Sequence, residues 1–301
     1  MDRLAAMTIL LRVVEKGSFS AAGRALGMPL ATVSRKVNEL ETHLGTRLLV
    51  RTTRKVALTE TGGAYVAAAR RILEEIDETE RAAAGEFHTP RGELTLTAPV
   101  FFGRLHVLPV VTDFLAAYPA ITVRLHLSDR TLDLIDEHVD LAVRIGSLPD
   151  SSLVATRVGA MRTVVCASPK LLAAHGDPQS PEDLAALPCV SFDAVSRAAT
   201  WPFRLRDAKG ITEAPIRPRL SVSTAEAAVW AALQGVGATR VLHYQCADAL
   251  HDGSLRIILA EFELAPLPVH LIHAGRGALP SKMRVFLDFA AGRLRGRLNA
   301  L

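Results

Sequence analysis

Four side chains able to hydrogen-bond to the edges of DNA bases fall within five residues of one predicted helix. They are Thr32, Ser34, Arg35 and Lys36. An apolar stripe at steps of four, three and four residues occupies another face of this helix and consists of Val33, Val37, Leu40 and Leu44. Because the stripe is expected to be buried, these polar side chains and that of Asn38 are left on the outer faces. A helix with a short basic outer face fits the major groove of DNA, where Arg35 would contact a base edge with support from Thr32 and Ser34.

A second, shorter helix and a tight turn precede this one in the sequence. Ser18 is a favourable N-cap for helix Phe19–Leu26, whose small alanines allow close helix packing. A Gly-Met pair forms the turn, and Pro29 is expected at the first helical position because its φ is already fixed. The arrangement predicts a helix-turn-helix, and we include Ser18 and Leu30 among its expected DNA contacts.

A basic segment follows the second helix and surrounds the strand-like residues Val56–Leu58. Its cationic side chains are Arg47, Arg51, Arg54 and Lys55. A wing of this kind would place Arg51 and Arg54 against phosphates or in the minor groove. The same spacing also fits a small helical bundle with a solvated polar face. The charge distribution distinguishes this alternative from a DNA-binding domain.

The excess of positive charge is confined to the first fifth of the chain. Residues 1–60 contain ten Lys and Arg against five Asp and Glu, whereas the other 241 residues contain 25 and 26. Attraction to phosphates needs such a localised positive field, and its contribution weakens steeply with salt. The charge distribution therefore favours double-stranded DNA as a partner.

The bulk composition limits the class of protein. The 301 residues suffice for two or three domains, each with its own core. No apolar run approaches the ~18–20 residues of a membrane span, and the N-terminus lacks a signal peptide's separate apolar core, so a cytoplasmic location without membrane contact is expected. Three widely spaced cysteines argue against structural disulfides and a zinc site.

Residues 60–87 are predicted to form one long linker helix. The segment lacks proline, and its heptad a and d positions include Val66, Ala69, Leu73, Ile76 and Ala83. We expect this helix to pair with its copy in a second subunit, which would present two DNA-binding heads to one duplex. The alternative is a helix docked on its own domain. Residues 88–92, with a proline and a glycine, break the helix and predict a hinge.

Beyond the hinge, strand-like and helical patterns alternate at the spacing of βαβ units. Predicted strands lie at 94–97, 121–128, 140–145, 163–167, 189–192, 219–222, 256–259 and 269–273, and predicted helices at 105–118, 132–138, 169–175, 181–186, 224–234 and 281–298. Such alternation predicts two α/β lobes with largely parallel sheets. Ligands of such sheets bind at the carboxyl ends of strands, in the crevice between the halves.

The motifs do not support an enzyme. GxSxG, P-loop and HExxH motifs are absent, and Arg240 occupies the position where a dinucleotide fingerprint starting at Gly235 needs its last Gly or Ala. His270 and His273 lie three residues apart on a predicted strand and face opposite sides, so they cannot share a metal. We therefore expect no cofactor and no metal. A solute-binding protein would share the two lobes but would need export.

The sequence resembles the LysR-type transcriptional regulators over essentially its whole length. The matching N-terminal positions are Gly17-Ser18-Phe19-Ser20-Ala21-Ala22, Leu26, Val33-Ser34-Arg35, Leu40-Glu41, Leu44-Gly45, Leu48-Leu49, Arg51, Arg54, Leu58-Thr59 and Gly62. The C-terminal part is similar to the family's effector domain at Gly103, Leu108-Pro109, Phe114, Tyr118-Pro119, 140–146, Ser168-Pro169, Gly176, Pro178 and Asp183-Leu184.

The resemblance implies an α plus α/β fold in four parts. These are a winged helix-turn-helix at 1–59, a linker helix at 60–87, a hinge at 88–92 and a two-lobed, periplasmic-binding-protein-like effector domain at 93–301. Lobe I would be discontinuous, with residues 93–162 and 268–301, and lobe II would span 163–267. The resemblance also implies a linker-helix homodimer, a tetramer, a small-molecule effector, and RNA polymerase as a further candidate partner.

Two segments depart from the family's pattern. Many members have Ser-Gln-Pro or Ser-Gln-Ser where this chain has Pro29-Leu30-Ala31. Leu30 cannot make glutamine's bidentate hydrogen bond to adenine but can contact a thymine methyl, so base readout would rest more on the polar residues that follow. The second-lobe turn, often Ile-Ala-Leu-Leu-Pro, is here Ala238-Thr239-Arg240-Val241-Leu242 and brings a charge near the mouth between the lobes.

Strand ends supply the candidate effector contacts. These are Ala98, Pro99, Val100, Phe101, Ser128, Arg144, Phe192, Ser223 and Thr224. The first three lie at a strand-to-helix junction, where backbone amides can bind a carboxylate. Arg144 suits an anionic effector, although an interdomain ion pair explains it equally well, and Phe101 also fits a core position. A thiol-based redox sensor on the same fold is the alternative, which the separation of the three cysteines weakens.

Overall fold

The computed structural model describes residues 1–51, 56–83, 90–130, 134, 137, 139–148, 153–192, 200–205, 210–274 and 279–299. The N-terminal part contains the helices α1 (Arg3–Lys16), α2 (Phe19–Leu26) and α3 (Leu30–Leu44), the strands β1 (Leu49–Arg51) and β2 (Val56–Leu58), and the long helix α4 (Glu60–Ala83). The two strands pair antiparallel as a wing. This is the predicted winged helix-turn-helix, and α2 has the predicted bounds.

The buried stripe of α3 matches the prediction at three of its four positions. Val33, Val37 and Leu40 are 0% exposed and form one core with α1. Leu44 is 37% exposed because α3 ends there and Gly45, with φ +68°, turns the chain away. Pro29 is the N-cap, with extended ψ of 142°, so the expectation that it is the first helical residue is wrong by one position.

The first turns of α4 pack on their own domain. Val66 is 7% and Ala69 is 1% exposed in the single chain, and Val66 belongs to the core that α1 and α3 share. The prediction that these two residues face a second subunit is therefore wrong. Further along, Leu73 and Ile76 are half-buried and Ile72 is 42% exposed. The side chain of Ala83 and residues 84–87 lie outside the described residues.

Lobe I is built on a five-stranded sheet that combines two distant stretches of the chain. Its strands are β3 (Gly92–Ala98), β4 (Ile121–Leu127), β5 (Leu141–Ile145), β6 (Val154–Met161) and β14 (Leu267–His273), in the order β4-β3-β5-β14-β6. β3 runs parallel to β4 and β5, whereas β14 runs antiparallel to β5 and β6. Helix α10 (Ser281–Leu298) packs on this sheet through Met283, Phe286 and Leu294.

A helical segment of lobe I starts five residues earlier than predicted. It consists of α5 (Val100–Phe102), a π-helical turn (Gly103–Val107) and α6 (Leu108–Ala117). A Cβ at Gly103 would lie 2.3 Å from Leu127 Cδ2, so glycine lets this turn approach β4. By length and mean hydropathy, residues 100–117 would suffice to cross a membrane, contrary to the sequence-based expectation. Phe102 and Phe114 nevertheless lie in the core of lobe I.

Lobe II contains a second five-stranded sheet, in the order β11-β8-β12-β7-β13. Its elements are β7 (Thr163–Ala167), α7 (Pro169–His175), a 3-10 turn (Pro181–Ala186), β8 (Pro188–Ser191), β9 (Thr200–Arg204), β10 (Ile211–Pro215), β11 (Arg217–Ser221), α8 (Ala225–Leu233), β12 (Ala238–Leu242), α9 (Ala247–His251) and β13 (Arg256–Ile258). The sequence did not predict β6, β12, the β9–β10 hairpin or the short helix α9. Most of the predicted helix 132–138 lies outside the described residues.

Neither sheet is largely parallel, so that expectation is wrong. In lobe II, β8 is parallel to β11 and β12, but β7 is antiparallel to β12 and β13. The cause is the chain path. β6 passes through Arg162 directly into β7, and β14 returns from lobe II, so in each sheet a strand next to the crossing runs against its neighbours.

Candidate DNA-binding surface and effector cleft

The turn between α2 and α3 is fixed by close backbone packing. Gly23 lies on α2, and a Cβ there would be 2.7 Å from Met28 O. Only glycine therefore lets α2 pack this closely against the turn. Ser18 Oγ accepts from Ala21 N–H at 3.4 Å, which makes this residue the N-cap of α2. Ser18 is half-buried, and its described contact is structural.

The outer face of α3 lines a surface groove of about 650 Å³. The groove is formed by Met1, Ala31, Ser34, Arg35, Asn38, Glu39, Thr42 and His43. Ser34 and Arg35 were predicted at this face, whereas Thr32 and Lys36 lie half-buried beside it. Leu30, at the start of α3, is 51% exposed. Asn38 was also expected on an outer face of this helix. Glu39 and Thr42 were not singled out from the sequence, although steps of four and seven residues from Arg35 would have placed them on the same face.

The wing is tied to both neighbouring helices. The Glu41 carboxylate on α3 accepts from the amides of Leu48 and Leu49 at 2.8 and 3.0 Å. Thr59 Oγ1 donates to Arg47 O at 2.8 Å and accepts from Gly62 N–H at 2.9 Å. These bonds hold the wing, α3 and the start of α4 in one unit. Arg51 lies in β1, but its side chain and all of Arg54 are outside the described residues.

Two strand ends of lobe I that were predicted to contact the effector lie next to each other. Ser128 N–H donates to Ala98 O at 2.9 Å. The Val100 amide, which was expected to bind a ligand carboxylate, instead donates to Asp129 Oδ1 at 3.0 Å. A carboxylate of the chain itself therefore occupies that donor. Val100 is 42% exposed and Ala98 is fully buried.

An aromatic cluster joins the two lobes beside these strand ends. Tyr244, which follows β12 in lobe II, packs into the core of lobe I. Its ring stacks 5.9 Å from Phe101 and meets the rings of Phe102 and His106 edge-on at 5.5 Å each. Burial raises the pKa of the Tyr244 hydroxyl above its ordinary range. Tyr244 was not predicted from the sequence, and Phe101, which was expected at the mouth of the cleft, lies in this contact between the lobes.

The remaining candidate effector residues have individual structural roles. Thr224 Oγ1 caps α8 by accepting from Ala227 N–H at 3.2 Å, and Ser223 beside it is exposed. Phe192 packs against two apolar clusters of lobe II. Arg144 is half-buried and lies opposite His270 on the neighbouring strand, and desolvation lowers the pKa of its guanidinium. No described group of three or more His, Cys, Asp and Glu could hold a metal ion.

Two of the three cysteines meet although the sequence separates them widely. Cys166 on β7 and Cys246 before α9 are both buried in one apolar cluster of lobe II. Interaction between the two thiols raises the pKa of Cys166 and lowers that of Cys246. Cys189 is buried elsewhere, and desolvation raises its pKa to about 11.

Two family models together match most of the chain. The model described as "Bacterial regulatory helix-turn-helix protein, lysR family" matches residues 4–63, and the one described as "LysR substrate binding domain" matches residues 88–295. The chain belongs to the LysR family. It is a DNA-binding transcriptional regulator with an effector-binding domain, not an enzyme.

LysR-family relatives match nearly the full length of this chain. An HTH-type transcriptional regulator of Xanthomonas campestris is 38% identical over 95% of this chain and 84% of its own length. The solved LysR-type regulator CrgA of Neisseria meningitidis is 35% identical, with a TM-score of 0.60 over 96% of this chain and 98% of its own. Full-length LysG from Corynebacterium glutamicum, solved with bound effector Arg, has the same fold at 24% identity and a TM-score of 0.59, covering 98% of each chain.

Proposed function

We propose that Arg35 contacts a base edge in the major groove, with Thr32 and Ser34 in support and Leu30 against a thymine methyl. The geometry of α3 carries the proposal: its apolar stripe is buried, while the Arg35 side chain is 61% exposed on the opposite face. The expected partners of Arg51 and Arg54 in the wing are phosphates or the minor groove.

Fluorescence anisotropy on the upstream intergenic DNA and on scrambled DNA, across a salt series, tests this role. Arg35→Ala is expected to lose most of the preference for the specific DNA, because a bidentate contact to a base contributes about 1–3 kcal/mol of discrimination. Arg12→Ala is the matched control, since Arg12 is an exposed arginine of the same domain that also pairs with a glutamate on its own helix. Equal discrimination by both variants would reject Arg35 as a base reader.

We infer a homodimer through the second half of α4, and a tetramer assembled from such dimers. Ile72, Leu73 and Ile76 leave apolar surface on this part of the helix, in contrast to the buried Val66. Ile76→Glu is expected to shift the sedimentation coefficient towards the monomer, because it places a charge in the proposed seam. The exposed Glu75→Gln serves as the control.

We propose that a small anionic effector binds between the lobes, near the strand ends that carry Ala98, Pro99, Ser128 and Arg144. A half-buried guanidinium at a strand end supports an anion there, because charge-assisted hydrogen bonds to carboxylates are strong. Thermal-shift screening of small carboxylates and their neutral amides tests the charge preference. Arg144→Gln should abolish the preference, whereas Arg124→Gln, at an exposed pair with Glu93, should not.

We further propose RNA polymerase as a partner at the promoter and a cytoplasmic location. We also propose domain limits at 1–59, 60–87, 88–92 and 93–301. The family's role in transcription supports the first two proposals, and the bounds of α4 and β3 support the limits. Limited proteolysis followed by mass spectrometry tests the limits through cleavage within 84–92.

A further inference from the structure

Glu39 lies one helical turn after Arg35 on the outer face of α3, and the two side chains form an ion pair. Arg35 Nη1 donates to Glu39 Oε1 at 2.5 Å, and the other carboxylate oxygen lies 3.9 Å from Lys36 Nζ. The Glu39 side chain is 35% exposed and lines the groove that also contains Arg35. The carboxylate is therefore placed where α3 would face DNA.

The ion pair restricts what the guanidinium can do. An arginine side chain carries about 2 kcal/mol of rotamer entropy, and a bidentate contact with guanine requires one orientation of its planar fork. Because Glu39 accepts a single N–H group, the other N–H groups of the fork remain available to a base. A guanidinium held this way loses less entropy when it binds.

The charge of Glu39 also affects whether Arg35 contacts a base or the phosphate backbone of the DNA. Glu39 is the acidic residue among the described residues that line the groove. Its carboxylate opposes the approach of phosphates because the two carry like charges. Without it, Arg35 is free to swing towards the DNA backbone, where contacts add affinity but no sequence information.

We propose that Glu39 is a positioning residue for base recognition: it holds the Arg35 guanidinium for a base edge and keeps it off the phosphates. This inference rests on the proposed role of Arg35. The Glu39 carboxylate would raise the specificity for the target sequence and lower the affinity for DNA in general, because it repels the phosphates.

Glu39→Gln tests the inference because it removes the charge and keeps the shape. The variant is expected to lose about five- to tenfold of its preference for the specific DNA, within the range of a single bidentate contact. Its affinity for scrambled DNA should rise, and the slope of log K against log salt on that DNA should steepen by about 0.9, as expected for one additional phosphate contact. A merely structural role would not change this slope.

Glu15→Gln is the matched control, since Glu15 pairs with Arg12 at 2.8 Å on α1 and does not line the groove. It removes the same charge from the same domain and should leave the preference unchanged. Adding Glu39→Gln to Arg35→Ala should change neither the preference nor the salt slope further, because the positioned group is gone. Thermal unfolding by circular dichroism verifies that each variant is folded.

Two patterns of change in Glu39→Gln would overturn the inference. One is a uniform change of affinity in Glu39→Gln that matches Glu15→Gln, which would show a general charge effect. The other is an undiminished effect of Glu39→Gln in the Arg35→Ala background. If Arg35→Ala itself retains full discrimination, the proposed base contact fails and the positioning role fails with it. If Arg35→Ala loses discrimination but Glu39→Gln behaves as wild type, the base contact of Arg35 stands and the positioning role of Glu39 fails.

Discussion

Lys282 on α10 and Glu74 on α4 form an ion pair that joins the linker helix to lobe I. The Lys282 side chain is only 10% exposed, and its ammonium also donates to Glu93 O, at 2.6 Å, on β3. The half-buried Asp140 carboxyl is close enough for Lys282 to act on it electrostatically, although desolvation dominates and raises its pKa. One ammonium group therefore connects three elements across the junction between DNA-binding and effector parts.

Glu74→Gln is expected to lower the free energy of unfolding of the effector domain by about 1–3 kcal/mol. It leaves the nearly buried ammonium without its carboxylate, and hydrogen bonds to charged groups contribute about that much. Asp77→Asn is the control, because Asp77 lies on the same helix as Glu74 but pairs with Arg91 at a site that is about half exposed, so its loss should cost less than about 1 kcal/mol. Urea titration followed by circular dichroism measures both. Equal losses would show that the burial of Lys282 is irrelevant.

Gly62 and Gly63 are neighbours on α4 with opposite steric surroundings. A Cβ at Gly62 would lie 1.9 Å from Leu48 O, whereas nothing described lies within 4 Å of a Cβ at Gly63. Gly62→Ala is therefore expected to separate the wing from α4 and to weaken DNA binding by at least tenfold. Gly63→Ala should keep full binding and raise the melting temperature slightly, because alanine is favoured over glycine in helices by about 0.8–1 kcal/mol. Anisotropy and thermal melts distinguish them, and equal behaviour would contradict the packing.

The elements predicted correctly are those whose signals are local. Helix α2 has an N-cap serine and a C-terminal glycine in its own sequence, and α10 has a continuous apolar face. β12 was missed because its environment is assembled from distant residues. It lies between β7 and β8, and a Cβ at Gly237 would lie 2.7 Å from Pro188 O. The direction of a strand in the sheet likewise depends on where the chain crosses between lobes, which periodicity does not encode.

The residues of the candidate functional sites show the same difference between local signals and contacts made by distant residues. The exposure of Arg35 followed from the apolar stripe on the opposite face of α3, since one helix defines both. The contact of Tyr244 with Phe101, and that of Cys166 with Cys246, join residues far apart in the sequence. These meet only when the two lobes and the second sheet have formed. The Val100 amide shows the converse error, because a donor expected for a ligand is taken by Asp129.

We expect His106 to make the free energy of unfolding depend on pH in mild acid. His106 is 7% exposed, and the centroid of its ring lies 4.8 Å from that of Phe102. Neither ring nitrogen has a hydrogen-bond partner among the described residues. Desolvation, aided by Arg297, lowers its pKa, so the folded protein resists a proton that the unfolded chain accepts below about pH 6.5. The stabilisation of the neutral ring is fully present above that pH and is lost as the pH falls towards the folded pKa.

His106→Phe should therefore show a shallower loss of unfolding free energy between pH 7 and 5. One proton accounts for at most about 1.4 kcal/mol per pH unit. Some dependence should remain, because burial also lowers the pKa values of His243 and His273. Urea titrations at four pH values measure the slope. An unchanged slope in the variant would mean that His106 takes up its proton without opposing the fold.

The cysteines should react in an order set by their different surroundings. At pH 8 only about one in a thousand Cys189 thiols is ionised if its pKa is about 11, and the thiolate is the reactive form. Interaction with the Cys166 thiol lowers the pKa of Cys246, so Cys246 should be alkylated by iodoacetamide before Cys189. Peptide mapping by mass spectrometry follows each site, and unfolding in urea should make all three thiols react at similar rates. Faster labelling of Cys189 in the folded protein would contradict its burial. The redox alternative predicts that peroxide changes DNA binding by the wild type and that Cys246→Ser removes this response. We expect no response in either protein, which would show that the pair is structural.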